Sequence, residues 1–183
     1  MSSPGPAPLT PQDEVDRIVR AWSEELPTLD VEPMHVFSRL HRLARHIQDV
    51  RRDAFAEHGL AVWQFDVLAA LRRAGDPYEL TPGRLVTETR VSSGTMTNRI
   101  DRLVERGLVA RRGSPGDRRI VLVRLTEAGS AAVDAAVTDL VARERALLDA
   151  LATGGAHQLA ALLRTMLEPF AGTPVPDIAE ESE

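Results

Sequence analysis

Three elements follow one another in residues 91–129, VSSGTMTNRIDRLVERGLVARRGSPGDRRIVLVRLTEAG. Ser92 is an N-cap residue type, and Met96, Ile100 and Leu103 repeat at helical spacing, which predicts a helix over Ser93–Arg106. Gly107 closes that helix. Leu108–Arg112 then reads as a strand, Gly113–Asp117 as a polar tip, and Arg119–Leu125 as the returning strand, in which Ile120 and Leu122 alternate with Val121 and Val123. The Gly-Ser-Pro-Gly tip makes this hairpin looser than a two-residue turn would. Thr126 caps the next helix, with Glu127 in its first turn. Immediately upstream, Thr81-Pro82 opens a short helix containing Leu85 and Val86, and a brief turn leads on to Ser92. Two short helices followed at once by a β-hairpin make a winged helix-turn-helix.

That arrangement has a direct use. A helix about 10–12 Å across fits the B-DNA major groove, which is about 12 Å wide. With Met96, Ile100 and Leu103 facing inward, the other side of the helix carries Ser93, Thr95, Thr97, Asn98, Arg99 and Arg102, preceded by Ser92. Hydroxyls, an amide and guanidinia are the groups that base edges and phosphates accept. Gly94 removes bulk where the helix would pass close to a surface. A solvated polar face with Ser and Thr as caps is the competing reading of the helix alone, and the attached wing favours DNA. In the hairpin, Arg111 and Arg112 form a basic outgoing strand, and Arg118 and Arg119 stand at the return, suited to a narrow minor groove. Asp117 beside them would repel phosphate, so it is expected to pair with a local arginine and hold the tip in shape.

Charge supports the same place. The 183-residue chain has a net charge of -5, yet residues 90–124 hold nine arginines and three acids. A basic island inside an acidic chain is the footprint of a DNA-binding module. Every basic residue is arginine, including those far outside the island, which points to codon usage more than to recognition. Apolar residues at 43% suffice for a core, and the absence of cysteine excludes disulfides, thiol chemistry and cysteine-ligated zinc. No apolar run approaches the ~20 residues of a membrane span, and the opening MSSPGPAPLTPQDEV is no signal peptide, so a soluble cytoplasmic protein with no membrane partner is expected. His35, His41, His46, His58 and His157 lack metal-ligand spacing, and no phosphate-cradling loop or nucleophile elbow occurs. No metal, no cofactor and no enzymatic activity are expected.

Around the winged module the chain reads as helices. Residues 1–9 and the acidic residues 172–183 are expected to be disordered tails. A first helix is predicted from Thr10 as N-cap and Pro11 at its first position, with Val15, Ile18, Val19 and Trp22 at helical spacing. A longer one starts near Pro33, carries a stripe of Val36, Phe37, Leu40, Leu43, Ala44, Ile47 and Val50, and ends at Gly59. A third runs from about Ala61 to Ala74 before the breaker Gly75-Asp76-Pro77. After Thr126 come a long helix to about Ala152 and a last one over about Ala156–Phe170. The domain reading is therefore 10–59 for the added and first dimerisation helices, 60–126 for the winged domain, and 127–171 for C-terminal dimerisation helices. The end helices show more apolar surface than one small winged domain covers, and reading two adjacent grooves needs a spacer of about 34 Å, so a homodimer is expected.

The quoted run resembles the core of the MarR family of bacterial transcription regulators, with the Asp-x-Arg wing signature on Asp117 and Arg119 leading to Leu125-Thr126. The resemblance covers about residues 33–171. It implies a mainly α winged helix-turn-helix homodimer with interlocked N- and C-terminal helices, in which helix 93–106 reads a pseudo-palindromic operator and Arg119 enters the minor groove. The segment around Trp22 and the helix Phe65–Arg73 resemble the PecS and urate-responsive branch. That likeness assigns a small anionic or aromatic, urate-like effector to Trp22, Asp66, Arg73 and Arg99, with Arg102 a competing assignment. Asp66 and Arg73 lie seven residues apart, about 10.5 Å along a helix, too far for an ordinary direct pair, so each needs another partner. The plainer reading gives Arg73 to the helix dipole and Asp66 to a structural ion pair. The expected function is a ligand-released, sequence-specific repressor. The alternatives are a sequence-independent, chromatin-like DNA binder and a winged helix that binds protein.

Overall fold

The computed structural model describes residues 12–113 and 120–171, which fall into two compact units divided between Asp49 and Val50. In the first unit, α1 (Glu14–Glu25) is capped by Asp13. Its carboxylate accepts from the Asp16 amide at 3.0 Å, and the Asp16 carboxylate accepts from the Asp13 amide at 3.0 Å. This reciprocal box replaces the start expected at Thr10 and Pro11. Two carboxylates satisfy two orphan amides and favour the dipole, which a single threonine hydroxyl does not. Gln12 is already outside the helix, and Thr10 and Pro11 lie outside the described residues.

A loop leads to α2 (Glu32–Glu57), entered where the Asp30 carboxylate accepts from the Glu32 amide at 3.0 Å. Val15, Val19 and Val31 form a small core with Met34 against it. Arg39 of α2 reaches back to both capping carboxylates, at 2.8 and 2.9 Å to Asp13 and 2.7 Å to Asp16, and Arg42 meets Glu14 at 2.6 Å. The expected α2 stripe is largely unburied: Val36 is 53% exposed and Phe37 58%.

The second unit holds the main core. α2 ends before Gly59, whose φ of +67° suits glycine, and α3 (Val62–Arg73) follows. The α3 start is held by Gln64, whose Oε1 accepts from the Ala61 amide at 2.9 Å. Phe55 stacks on Phe65 with ring centroids 3.8 Å apart. Leu68 and Leu71 of α3 are fully buried among Leu85 of α4 (Pro82–Thr89) and Met96, Ile100 and Leu103 of α5 (Ser93–Glu105).

A three-stranded antiparallel sheet of order β1-β3-β2 completes the module. β2 (Val109–Gly113) and β3 (Val121–Leu125) pair from Val109–Leu125 to Gly113–Val121. β1 (Glu79–Leu80), only two residues long and unanticipated, pairs with Arg124 and Val123. The returning strand starts at Val121, later than expected, and Arg119 lies outside the described residues. α6 (Glu127–Leu148) is capped by Thr126, and it stops before the expected Ala152 as the chain turns with the Leu151 amide on the Leu148 carbonyl. α7 (Gly155–Leu167) ends before a 3₁₀ turn over Glu168–Phe170, where one helix to Phe170 was expected. Pro169 supplies no amide and clashes with the preceding turn, which breaks the α pattern there. Among the described residues, no helix is long and apolar enough to cross a membrane.

Candidate functional site

α5 is two-sided in the way its spacing predicts. Met96, Ile100 and Leu103 are 0%, 1% and 0% exposed, while Ser92, Ser93, Gly94, Thr95, Thr97, Asn98 and Arg102 are exposed. Ser92 caps the helix by accepting from the Thr95 amide at 3.2 Å, and its hydroxyl lies 2.8 Å from that of Thr95. Thr97 donates to the Ser93 carbonyl at 3.0 Å, which leaves its lone pairs outward. Arg99 is the exception to the outward set. It is half-buried, with its guanidinium 5.6 Å from the ring centroid of Trp63 on α3. The indole face attracts the cation and turns it towards α3.

The strands of the wing are less positive than their sequence suggests. Arg111 pairs with Asp101 of α5 at 2.6 Å, and Arg112 pairs with the partly buried Glu79 of β1 at 3.2 Å. Both arginines fasten the wing to its neighbours instead of standing free. Asp117, Arg118 and Arg119, the rest of the predicted wing site, lie outside the described residues.

Two adjacent arginines of α3 point to different surroundings. Arg72 clasps Asp134 of α6 through two hydrogen bonds of 2.8 and 3.0 Å and lies 4.7 Å over Tyr78. The pairing raises the Arg72 pKa further and lowers that of Asp134, each chiefly through the hydrogen bond to the other. Arg73 is exposed and lines a cleft of about 190 Å³ with Asp66, Glu88, Thr89 and Arg90. The cleft thus unites two of the predicted ligand residues. The partner expected for Asp66 includes Arg51, whose Nη2 lies 3.3 Å away. Trp22 belongs to the first unit, where it is 47% exposed, and the residues lining the cleft do not include it.

Glu88, Thr89 and Arg90 were missed. Glu88 and Thr89 end a short helix with no motif, and its C-cap Arg90 occupies a left-handed turn (φ 56°) where sequence rules expect glycine or asparagine. A wider groove in the first unit, about 450 Å³ beside Asp16, Arg20 and His35, is internally paired: Arg20 donates to Gln12 at 2.8 Å and Asp16 accepts from Arg39. Among the described residues no group of three or more His, Asp or Glu is placed to hold a metal.

Comparison with known proteins agrees with this geometry. A model described as MarR family matches residues 58–120. The transcriptional regulator PecS of Dickeya dadantii is 38% identical over 150 residues, 82% of this chain and 90% of PecS. A mutant MarR of E. coli complexed with operator DNA superposes with a TM-score of 0.59 at 27% identity, covering 80% of this chain and 97% of that one. BpsR of Bordetella bronchiseptica, whose DNA binding is regulated by 6-hydroxynicotinic acid, superposes with a TM-score of 0.58 at 30% identity over 72% of this chain and 91% of BpsR.

Proposed function

We propose a function from one premise: this chain belongs to the MarR family of transcription regulators. It binds duplex DNA as a homodimer, represses from a pseudo-palindromic operator, and is released by a small anionic or aromatic effector. The observation that carries the reading is the two-sidedness of α5, which buries Met96, Ile100 and Leu103 and leaves a polar face from Ser92 to Arg102. In this assignment Ser93, Thr95, Thr97 and Asn98 meet base edges, Ser92 and Arg102 meet phosphates, and Arg118 and Arg119 of the wing meet the minor groove. Residues 60–126 are the DNA-binding domain, and the helices within 10–59 and 127–171 make the dimer. Support for the dimer comes from apolar side chains unburied in one chain, Phe37 at 58%, Leu162 at 66% and Phe170 at 60% among them.

The effector reading assigns Asp66 and Arg73 to the ligand. Arg99 comes next rather than Arg102, because Arg99 is already drawn to α3 by Trp63. The resemblance adds Trp22. The effector acts by preferring a dimer state whose recognition helices are wrongly spaced for DNA, since equal affinity for both states would shift nothing.

Selection of bound duplexes from a randomised pool by the full-length chain tests the first part. The selected pool should converge on a pseudo-palindrome bound at least ~10³-fold more tightly than random duplex at physiological salt. Equal affinity for both would establish the chromatin-like alternative, and no shift even at low salt would remove DNA from the account. Urate and 6-hydroxynicotinate are then titrated into the complex. Release that is lost in Arg73→Ala supports the effector site, and no release by either would count against it.

A further inference from the structure

Resting on the reading of the cleft as the effector site, we propose that Arg90 is its second anion-binding residue and that the cleft selects an effector with two acidic groups over one with a single acidic group. The argument begins with charge. The cleft is lined by two carboxylates and two guanidinia, but the carboxylates are compensated from outside it. Arg51 lies 3.3 Å from Asp66, and Arg84 lies 3.2 Å from Glu88. The side chains of Arg73 and Arg90 form no ion pair or hydrogen bond among the described residues. Thr89 donates its hydroxyl proton to the Leu85 carbonyl at 2.8 Å, so it competes little as a donor. Two residues with unpaired guanidinia, one on α3 and one in the turn before α5, therefore line one small space. Each suits a planar carboxylate. At about 190 Å³ the space has room for one aromatic ring, since cavities of about 150 Å³ hold benzene.

Backbone geometry points to the same residue. Arg90 is the C-cap of α4 with φ 56° and ψ 34°, a left-handed conformation that glycine adopts freely and a long side chain does not. A strained position that nonetheless carries a guanidinium is accounted for if that group binds something. The placement also supplies coupling. Arg90 precedes Ser92, the N-cap of α5, by two residues, so drawing its side chain towards Arg73 moves the start of the proposed recognition helix.

Calorimetric titration of the full-length protein with benzoate and with isophthalate, the same ring bearing one or two carboxylates, tests this. Wild type is expected to bind isophthalate at least about tenfold more tightly. Arg90→Gln should bring the two within about threefold of each other, and Arg73→Gln should weaken both. Arg90→Gly, which relieves the turn, should lose the preference as Arg90→Gln does, separating charge from folding. Equal binding of the two by wild type, no binding of either at about 10 mM, or an undiminished preference in Arg90→Gln overturns the proposal. So does a loss of DNA affinity in Arg90→Gln, without any anion present, alongside an unchanged preference, because Arg90 would then be a phosphate contact. Release of the selected duplex is scored in parallel. An Arg90-dependent preference without release supports this proposal and removes the effector reading; release by benzoate without any preference removes this proposal alone.

Discussion

Gly129 has no room for a methyl group, and the reason is tertiary. Thr126 donates to the Gly107 and Leu108 carbonyls at 2.8 and 3.0 Å and accepts from the Gly129 amide at 3.0 Å, so α6 starts directly against the end of the helix-to-strand turn. A Cβ at Gly129 would collide with the Leu108 carbonyl oxygen and lie 3.0 Å from Leu125 Cδ1. Gly129→Ala is expected to cost about 1–3 kcal/mol, read as a lower denaturant midpoint at unchanged slope. Gly94 is the opposite case, with nothing within 4 Å of a built Cβ. Gly94→Ala should raise stability by about 1 kcal/mol through helix propensity. If the Ser92–Arg102 face lies on DNA, the same methyl lowers operator affinity. Melting temperature and affinity then move in opposite directions, and a joint rise would contradict the assigned face. Both glycines are visible in the sequence, but only Leu108, just before β2, and Leu125 of β3 tell the crowded one from the open one.

At the scale of elements, α1 is fastened to α2 by charge more than by area. The Asp13 pKa is lowered chiefly by the hydrogen bond from the Asp16 amide and then by Arg39, and that of Asp16 chiefly by Arg39 and then by the Asp13 amide. Groups depressed on folding contribute stability that is complete above the ordinary carboxylate pKa of about 3.9 and is lost as pH falls below it. The α1 packing should therefore be constant from neutral pH to about 5 and loosen in acid. Trp22 emission in a Trp63→Phe background would follow it. Arg39→Met should raise the midpoint of that acid transition, and an unmoved midpoint would show the latch to be idle. Because these groups are exposed, high salt should weaken the latch too. Helical period and cap chemistry made most of the helices and the inward face of α5 legible in advance. What stayed hidden was long-range: β1 is too short to carry a pattern, and Arg111 and Arg112 read as free charge because Asp101 and Glu79 meet them only in the folded sheet. Asp66 and Arg73 were proposed through resemblance, whereas Arg90, which lines the same cleft, had no signal, being a non-glycine residue in a glycine conformation.

For the whole molecule the question is what covers the unburied apolar surface. Val36 and Phe37 on α2, and Leu162, Leu167 and Phe170 near the C-terminal end, are each more than half exposed in one chain. Scattered exposed apolar residues are ordinary, but recurrence along helices marks an interaction face. The homodimer proposed above puts a second copy there, an occupant that would also serve function, because two recognition helices about 34 Å apart would engage successive grooves and bind with an effective concentration a lone domain lacks. Phe37→Asp places a charge on that face without touching the core. It is expected to make the protein monomeric at micromolar concentration by sedimentation equilibrium and to reduce operator affinity by at least about 100-fold, while random-duplex binding changes little. A monomeric variant with undiminished operator affinity would break the link between assembly and recognition. Wild type supplies the complementary measurement: if the helices interlock on folding, assembly is part of stability, and the melting temperature must rise with protein concentration by mass action. A melting temperature independent of concentration, with operator binding intact, would mean that DNA rather than the end helices brings two copies together.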